Sequence, residues 1–128
     1  MTAELAVTTS RRTIVIAVAA DVVAVLVFVA LGRRSHDETG NAVIGALRVA
    51  APFLLGLAAG WFAARAWKRP MALATGLVIW PVTVIVGMLL RRTVFDRGTA
   101  LSFVIVATIV LGVLLVGWRA IVALTTRP

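Results

Sequence analysis

The sequence predicts an all-α integral membrane protein, an up-down-up-down bundle of four transmembrane helices. Three observations lead there. Hydrophobic residues make up 62% of the chain, charged residues only 14%, and the mean hydropathy is +1.07, far outside the composition of soluble globular domains. Four apolar runs, at residues 13–31, 43–64, 71–90 and 100–124, each approach the roughly 20 residues that a helix needs to cross about 30 Å of hydrocarbon. The joints between them, GRRSHDETGN, RAWKRP and RRTVFDRGT, are too short for anything but antiparallel neighbours, so both termini fall on one side. With 128 residues the whole chain, 1–128, forms a single membrane domain. A transmembrane barrel is excluded because the runs lack the alternation that a barrel strand requires.

The first run carries paired arginines ahead of it. SRRTIVI has the form of a twin-arginine export signal, but the run behind it reaches helix length, contains Asp21 and is followed by three more spans. Arg11 and Arg12 are therefore expected to hold the first helix at the membrane face. Helical spacing puts Ala17, Ala20, Asp21, Ala24 and Phe28 on one stripe, so the acid faces protein and not lipid. In the joint that follows, Gly32 is expected to end the first helix and Thr39 or Asn41 to cap the second. His36, Asp37 and Glu38 lie together there without the convergent spacing of a metal site, and a solvated loop is expected. No metal, cofactor or disulfide is predicted, and the chain has no cysteine.

The second run gathers Gly45, Arg48, Pro52, Gly56, Ala59 and Ala63 on one broad face, and GLAAG from Gly56 to Gly60 matches the small-xxx-small pattern of close helix packing. Such small-residue faces also make a homo-oligomer possible. The third run aligns Gly76, Trp80, Thr83 and Gly87, and the fourth aligns Thr108, Gly112 and Arg119. Pro52 and Pro81 fall inside spans, where each removes a backbone donor and frees carbonyls, for a shape-setting bend or, alternatively, a hinge or ion-coordinating break.

Asp21 is the sharpest functional clue. A charged aspartate in a membrane helix costs at least about 2.5–3.5 kcal/mol on insertion scales, so it is neutralised, paired or exposed to a water-filled path. Three readings follow: a structural acid bonded to Trp80, Thr83 or Thr108 or paired with Arg48, a protonatable gate in a transporter, or part of a ligand site. Arg48 is the basic residue placed well inside a span, about 8 Å from the start of its helix. Asp21 lies about 12 Å from the opposite end of its own. A salt bridge between the two is one of the pairings left open, and Asp21, Arg48, Trp80, Thr83 and Thr108 form the candidate polar site.

The formal charge of +8 belongs to pairs of arginines flanking the spans, as membrane helices ordinarily show, and does not indicate nucleic acid; the bilayer is the expected partner. The side holding the termini has Arg11, Arg12, Arg65, Lys68, Arg69, Arg119 and Arg127; the other has Arg33, Arg34, Arg91, Arg92 and Arg97. This slight bias favours cytoplasmic termini and leaves dual topology open. Scarce lysine, with Lys68 alone, beside abundant alanine, valine and arginine points to a GC-rich bacterial genome and hence the bacterial cell membrane. No catalytic constellation or phosphate-binding loop is present, so an enzyme is not expected.

The segments DVVAVLVFVALGRRSH, APFLLGLAAGW, GLVIWPVTVIVGMLLRR and GTALSFVIVATIVLGVLLVGWRA resemble an actinobacterial family of small membrane proteins, domain-of-unknown-function three thousand and fifty-four. The resemblance implies four membrane helices and brings no activity with it. The chain also resembles the small multidrug transporters in length, span number and the acid of the first span, but it has aspartate where they have glutamate and no tyrosine. The expectation is a membrane protein with a structural or partner-binding role; the alternative is a small proton-coupled transporter or channel acting as a homo-oligomer through Asp21.

Overall fold

A computed structural model of the chain describes residues 10–36, 42–93 and 101–126. It contains four helices: α1 (Arg11–His36), α2 (Ala42–Ala64), α3 (Leu73–Thr93) and α4 (Leu101–Thr125). All four are long and apolar enough to cross a membrane, and the described residues contain no strand. The four-helix membrane bundle expected from hydropathy is therefore the fold.

The helices pack in a ring, α1 on α2, α2 on α3, α3 on α4 and α4 back on α1, with no contact across either diagonal. Antiparallel order follows from the side-chain pairs. On α1 and α2, Asp21 meets Trp61 while Phe28 meets Phe53; on α3 and α4, Trp80 meets Thr108 while Arg91 meets Phe103.

The apolar stretches leave large side chains such as Val15, Leu55, Ile85, Ile109 and Val113 on the outside, as a surface solvated by lipid requires. Packing inside cannot rely on a hydrophobic contrast with lipid and depends on close approach. That approach is closest between α2 and α3, where the glycines of GLAAG lie against backbone. A Cβ on Gly56 would stand 2.6 Å from the Thr83 carbonyl oxygen, and one on Gly60 would stand 3.1 Å from that of Ile79. The motif thus serves a seam within the chain. Gly87 on α3 admits the Phe53 ring, which a Cβ would meet at 2.5 Å. Phe53 stacks edge-on with Phe28 at 5.2 Å and touches Phe103 at 6.1 Å, so aromatic rings from α1, α2 and α4 fill the end of the bundle remote from the termini. The Arg91 guanidinium of α3 lies 4.1 Å from the Phe103 ring centre.

The helix ends are set locally. Ser10 caps α1, its Oγ accepting from the Thr13 amide at 3.2 Å. α2 ends in a Schellman motif: the Ala66 amide donates to the Trp61 carbonyl and the Arg65 amide to that of Phe62, with Arg65 at φ 50°. An arginine in that left-handed position costs of order 1–2 kcal/mol, which glycine would avoid. The turn continues through Lys68 and Arg69 amides donating to the Arg65 and Ala66 carbonyls, and Thr75 Oγ1 donates to the Arg69 carbonyl at 2.6 Å, so residues 65–72 form a folded bracket.

Two boundaries differ from expectation. α1 does not stop at Gly32 but runs on to His36, since a glycine within a helix costs only about 1 kcal/mol against alanine and the apolar limit of a span does not oblige its helix to end. α3 begins at Leu73, because Met71 belongs to the bracket, and extends past Leu90 through Arg91, Arg92 and Thr93. α2 runs through Pro52 and α3 through Pro81. The expected caps Thr39 and Asn41, and the joint around Arg97, lie outside the described residues.

Glycine substitutions separate seam from filler. Gly56→Ala forces α2 from α3 and is expected to destabilise by about 1–3 kcal/mol. Gly117→Ala, with nothing within 4 Å of its new methyl, is expected to be neutral or to stabilise by up to about 1 kcal/mol. Unfolding in mixed micelles, followed by circular dichroism, checks both.

Candidate polar site

The acid in the first span finds its charge partner on the last. Asp21 is fully buried and so is Arg119, and the two form a bidentate pair: Arg119 Nη1 donates to Oδ1 and Nη2 to Oδ2, each at 2.8 Å. The carboxylate accepts two further bonds, from Trp118 Nε1 to Oδ1 and from Trp61 Nε1 to Oδ2, again at 2.8 Å. Each oxygen thus accepts two donors, close to its full capacity. Arg119 also gives its Nε hydrogen to the Pro70 carbonyl at 2.9 Å and a second Nη1 hydrogen to the Leu115 carbonyl at 3.0 Å. Its guanidinium carbon lies 4.4 Å from the centre of the Trp118 ring.

Every helix contributes. Asp21 comes from α1 and Trp61 from the last turn of α2. The bracket after α2 supplies the Pro70 carbonyl. Gly76 near the start of α3 makes room: a Cβ there would stand 2.8 Å from Arg119 Cδ. Trp118 and Arg119 come from α4. The cluster lies toward the end of the bundle that holds the described terminal segments and the 65–72 bracket. Its chemistry is that of a satisfied ion pair, with charge opposite charge and rigid indole donors on the flanks, not of a site with a free reacting group.

The other candidate partners of Asp21 are elsewhere. Arg48 is exposed on α2, and of the pairings left open the Asp21–Arg48 bridge does not form. Arg48 precedes Trp61, which marks the level of Asp21, by thirteen residues, about 20 Å along the helix. Trp80 instead donates to the Thr108 carbonyl at 2.8 Å, with Gly112 beneath its ring, where a Cβ would stand 2.7 Å away. Thr108 Oγ1 returns to the Val104 carbonyl of its own helix at 2.7 Å. These residues form the α3–α4 joint. Thr83 is buried on α3, diagonal to α1, and its hydroxyl has no hydrogen-bond partner. Among the described residues there is no cluster of metal-ligating side chains.

Sequence reading missed Arg119, Trp61 and Trp118 as site residues. Two signals point to them. Arg119 stands five residues inside the end of its span, as deep as Arg48, and on the side nearer Asp21. An indole within a membrane span needs an acceptor for its N–H.

Removing one charge strands the other in the interior. Asp21→Leu and Arg119→Met are each expected to destabilise by about 3–5 kcal/mol, whereas the double substitution recovers most of the loss. Trp61→Phe and Trp118→Phe each remove one bond to a carboxylate and are expected to cost about 1.5–3 kcal/mol. A double-mutant cycle of unfolding free energies in bicelles measures the coupling.

Comparison with known proteins returns one family and nothing beyond it. No curated protein and no solved structure matches the chain. A family profile described as "Protein of unknown function (DUF3054)" matches residues 18–122, a stretch that contains Asp21, both flanking tryptophans and Arg119. The four-helix chain held by this ion pair belongs to the DUF3054 family.

Proposed function

We propose that the protein is a non-catalytic membrane component, with a structural or partner-binding role in the bacterial cytoplasmic membrane, and that Asp21 acts as an internal clamp and not as a proton carrier. The occupancy of the carboxylate carries this reading. A transport acid must exchange its proton with a water path and release its partner in each cycle. Asp21 has no exposed surface and accepts four bonds from three side chains. Opening it would break all four and strand Arg119 in the interior, a cost that a transport cycle would bear at each turnover.

The placement of charges supports cytoplasmic termini. Arg119 leaves the tally of flanking cations because it lies inside the bundle. Arg11, Arg12, Arg65, Lys68, Arg69 and Arg127 remain on the terminal side, against Arg33, Arg34, Arg91, Arg92 and Arg97. The positive-inside bias is thus six residues to five, with Arg48 left out because it lies within α2, on the half nearer the second side.

Proteoliposomes carrying an internal pH dye test the main reading. Wild type and the uncharged pair Asp21→Leu with Arg119→Met are expected to show the same proton flux as empty vesicles under an imposed gradient. A flux that wild type supports and the folded double variant loses would establish the transporter reading instead. Orientation is read separately by C-terminal fusions in a bacterial host: fluorescence from a green fluorescent protein fusion and inactivity of an alkaline phosphatase fusion are expected. Activity of both reporters would mean dual topology.

A further inference from the structure

An apolar groove of about 500 Å³ opens on the outer face of the bundle between α1 and α2, beside the ion pair. Val18 and Val22 form one wall, Leu54, Ala58 and Phe62 the other, and Trp67 from the 65–72 bracket closes one end. Phe62 and Trp67 meet edge-on at 5.8 Å, which fixes that closure. The volume lies in the range of small-ligand pockets. Its lining offers a hydrocarbon chain apolar contact and offers a polar ligand almost nothing.

Cations gather where the groove ends. Arg65 and Arg69 flank Trp67 on the bracket, and both are exposed. Arg11 is exposed on α1 and precedes Val18 and Val22 by seven and eleven residues, which puts it on the same helical stripe, about 10 Å beyond Val18. Asp21 is the sole acid among the described residues, and Arg119 takes up its charge, so no described acid offsets this cluster. Arg65 adds an independent observation: it occupies the left-handed C′ position of the Schellman motif, where glycine is favoured, and so sets a cation at this point against backbone preference.

We propose that the groove binds one anionic phospholipid, with an acyl chain along Val18, Val22, Leu54 and Ala58 and the phosphate headgroup held by Arg11, Arg65 and Arg69. The apolar lining accounts for the chain and the basic end for the sign of the headgroup. This inference does not depend on the absence of proton transport, and its readout is separate.

Tryptophan quenching tests it. The full chain is placed in phosphatidylcholine nanodiscs containing a minor fraction of acyl-brominated phosphatidylglycerol or, in parallel, of acyl-brominated phosphatidylcholine. Wild type is expected to be quenched at a several-fold lower fraction of the anionic lipid, and Trp67→Phe is expected to lose part of that difference, the remainder coming from Trp61, the other indole on the lining. Each removed arginine, tested as Arg65→Gly, Arg69→Gln and Arg11→Gln, should weaken the preference by about fivefold. Arg65→Gly suits the backbone at φ 50°, so it keeps the fold while deleting the cation. Ala58→Phe should fill the groove and abolish the preference. Equal quenching by both lipids in wild type, or a preference unchanged by all three arginine substitutions, would overturn the proposal. So would the absence of quenching by either lipid, which would mean that protein covers the groove.

Discussion

The bundle depends on bringing one carboxylate and one guanidinium together within an apolar interior. Inserted separately, α1 and α4 each carry a charge that costs a few kcal/mol in hydrocarbon. Packed, they share it: the bidentate geometry pairs the charges, and two indoles and two backbone carbonyls take up the remaining bonding capacity. Among helices that are otherwise almost uniformly apolar, this contact specifies which faces meet and at what level. Leucine and valine stripes can slide or rotate against one another at little cost. A slide of one residue, about 1.5 Å, would break the fork between Asp21 and Arg119. The ion pair therefore contributes register and uniqueness at least as much as stability.

The other devices fit around this constraint. Arg119 can cross to α1 because Gly76 leaves space on α3, and it reaches the Pro70 carbonyl because the Schellman turn after Trp61 folds the bracket back over the bundle end. One short segment thus sets an indole on Asp21 and a carbonyl on Arg119. Toward the other end the helices meet mainly through aromatic rings, with the Arg91 guanidinium of α3 over the Phe103 ring of α4. Three phenylalanines from α1, α2 and α4 meet there, and Gly87 on α3 is the recess that admits one of them. The α2–α3 seam, built on Gly56 and Gly60, joins the two ends by backbone approach, the kind of packing available when lipid is as apolar as the core.

Much of this was legible in the sequence. Hydropathy located all four helices, with ends that differ by up to five residues, because a membrane crossing demands a continuous apolar run. Helical periodicity put Asp21 on an inward stripe. What hydropathy could not locate was the end of each helix, since backbone hydrogen bonding carries α1 past Gly32 and α3 past Leu90 after the apolar run has ended. The partner of Asp21 is hidden from the sequence for a different reason. Arg119 reads as a flank because it stands near the end of its span, yet depth must be measured from a common face. Asp21 lies eight residues from the terminal side and Arg119 five, a difference of about 4.5 Å, whereas Arg48 starts from the opposite side. The polar marks on α3 and α4, Trp80 and Thr108, face inward without sharing a site with Asp21: Trp80 donates to the Thr108 carbonyl, and the Thr108 hydroxyl donates within its own helix. Periodicity identifies an inward face and does not by itself identify which neighbour the face meets.

If Asp21 serves assembly, as proposed, function falls to the surface. The exposed chemistry of the described residues is apolar along the spans and cationic at the ends, and the least uniform part of that surface is the α1–α2 groove with its arginines. The same bracket serves both regions: Pro70 bonds Arg119 within the bundle, while Trp67, three residues earlier, closes the groove. Trp61 likewise donates to Asp21 with its indole nitrogen and lines the groove with its ring. Occupancy of the groove is thereby linked to the geometry of the ion pair through two side chains and one turn. A ligand that binds the ordered groove more tightly than a loosened one stabilises the clamp by that difference in affinity, so a lipid bound there would act on the fold itself.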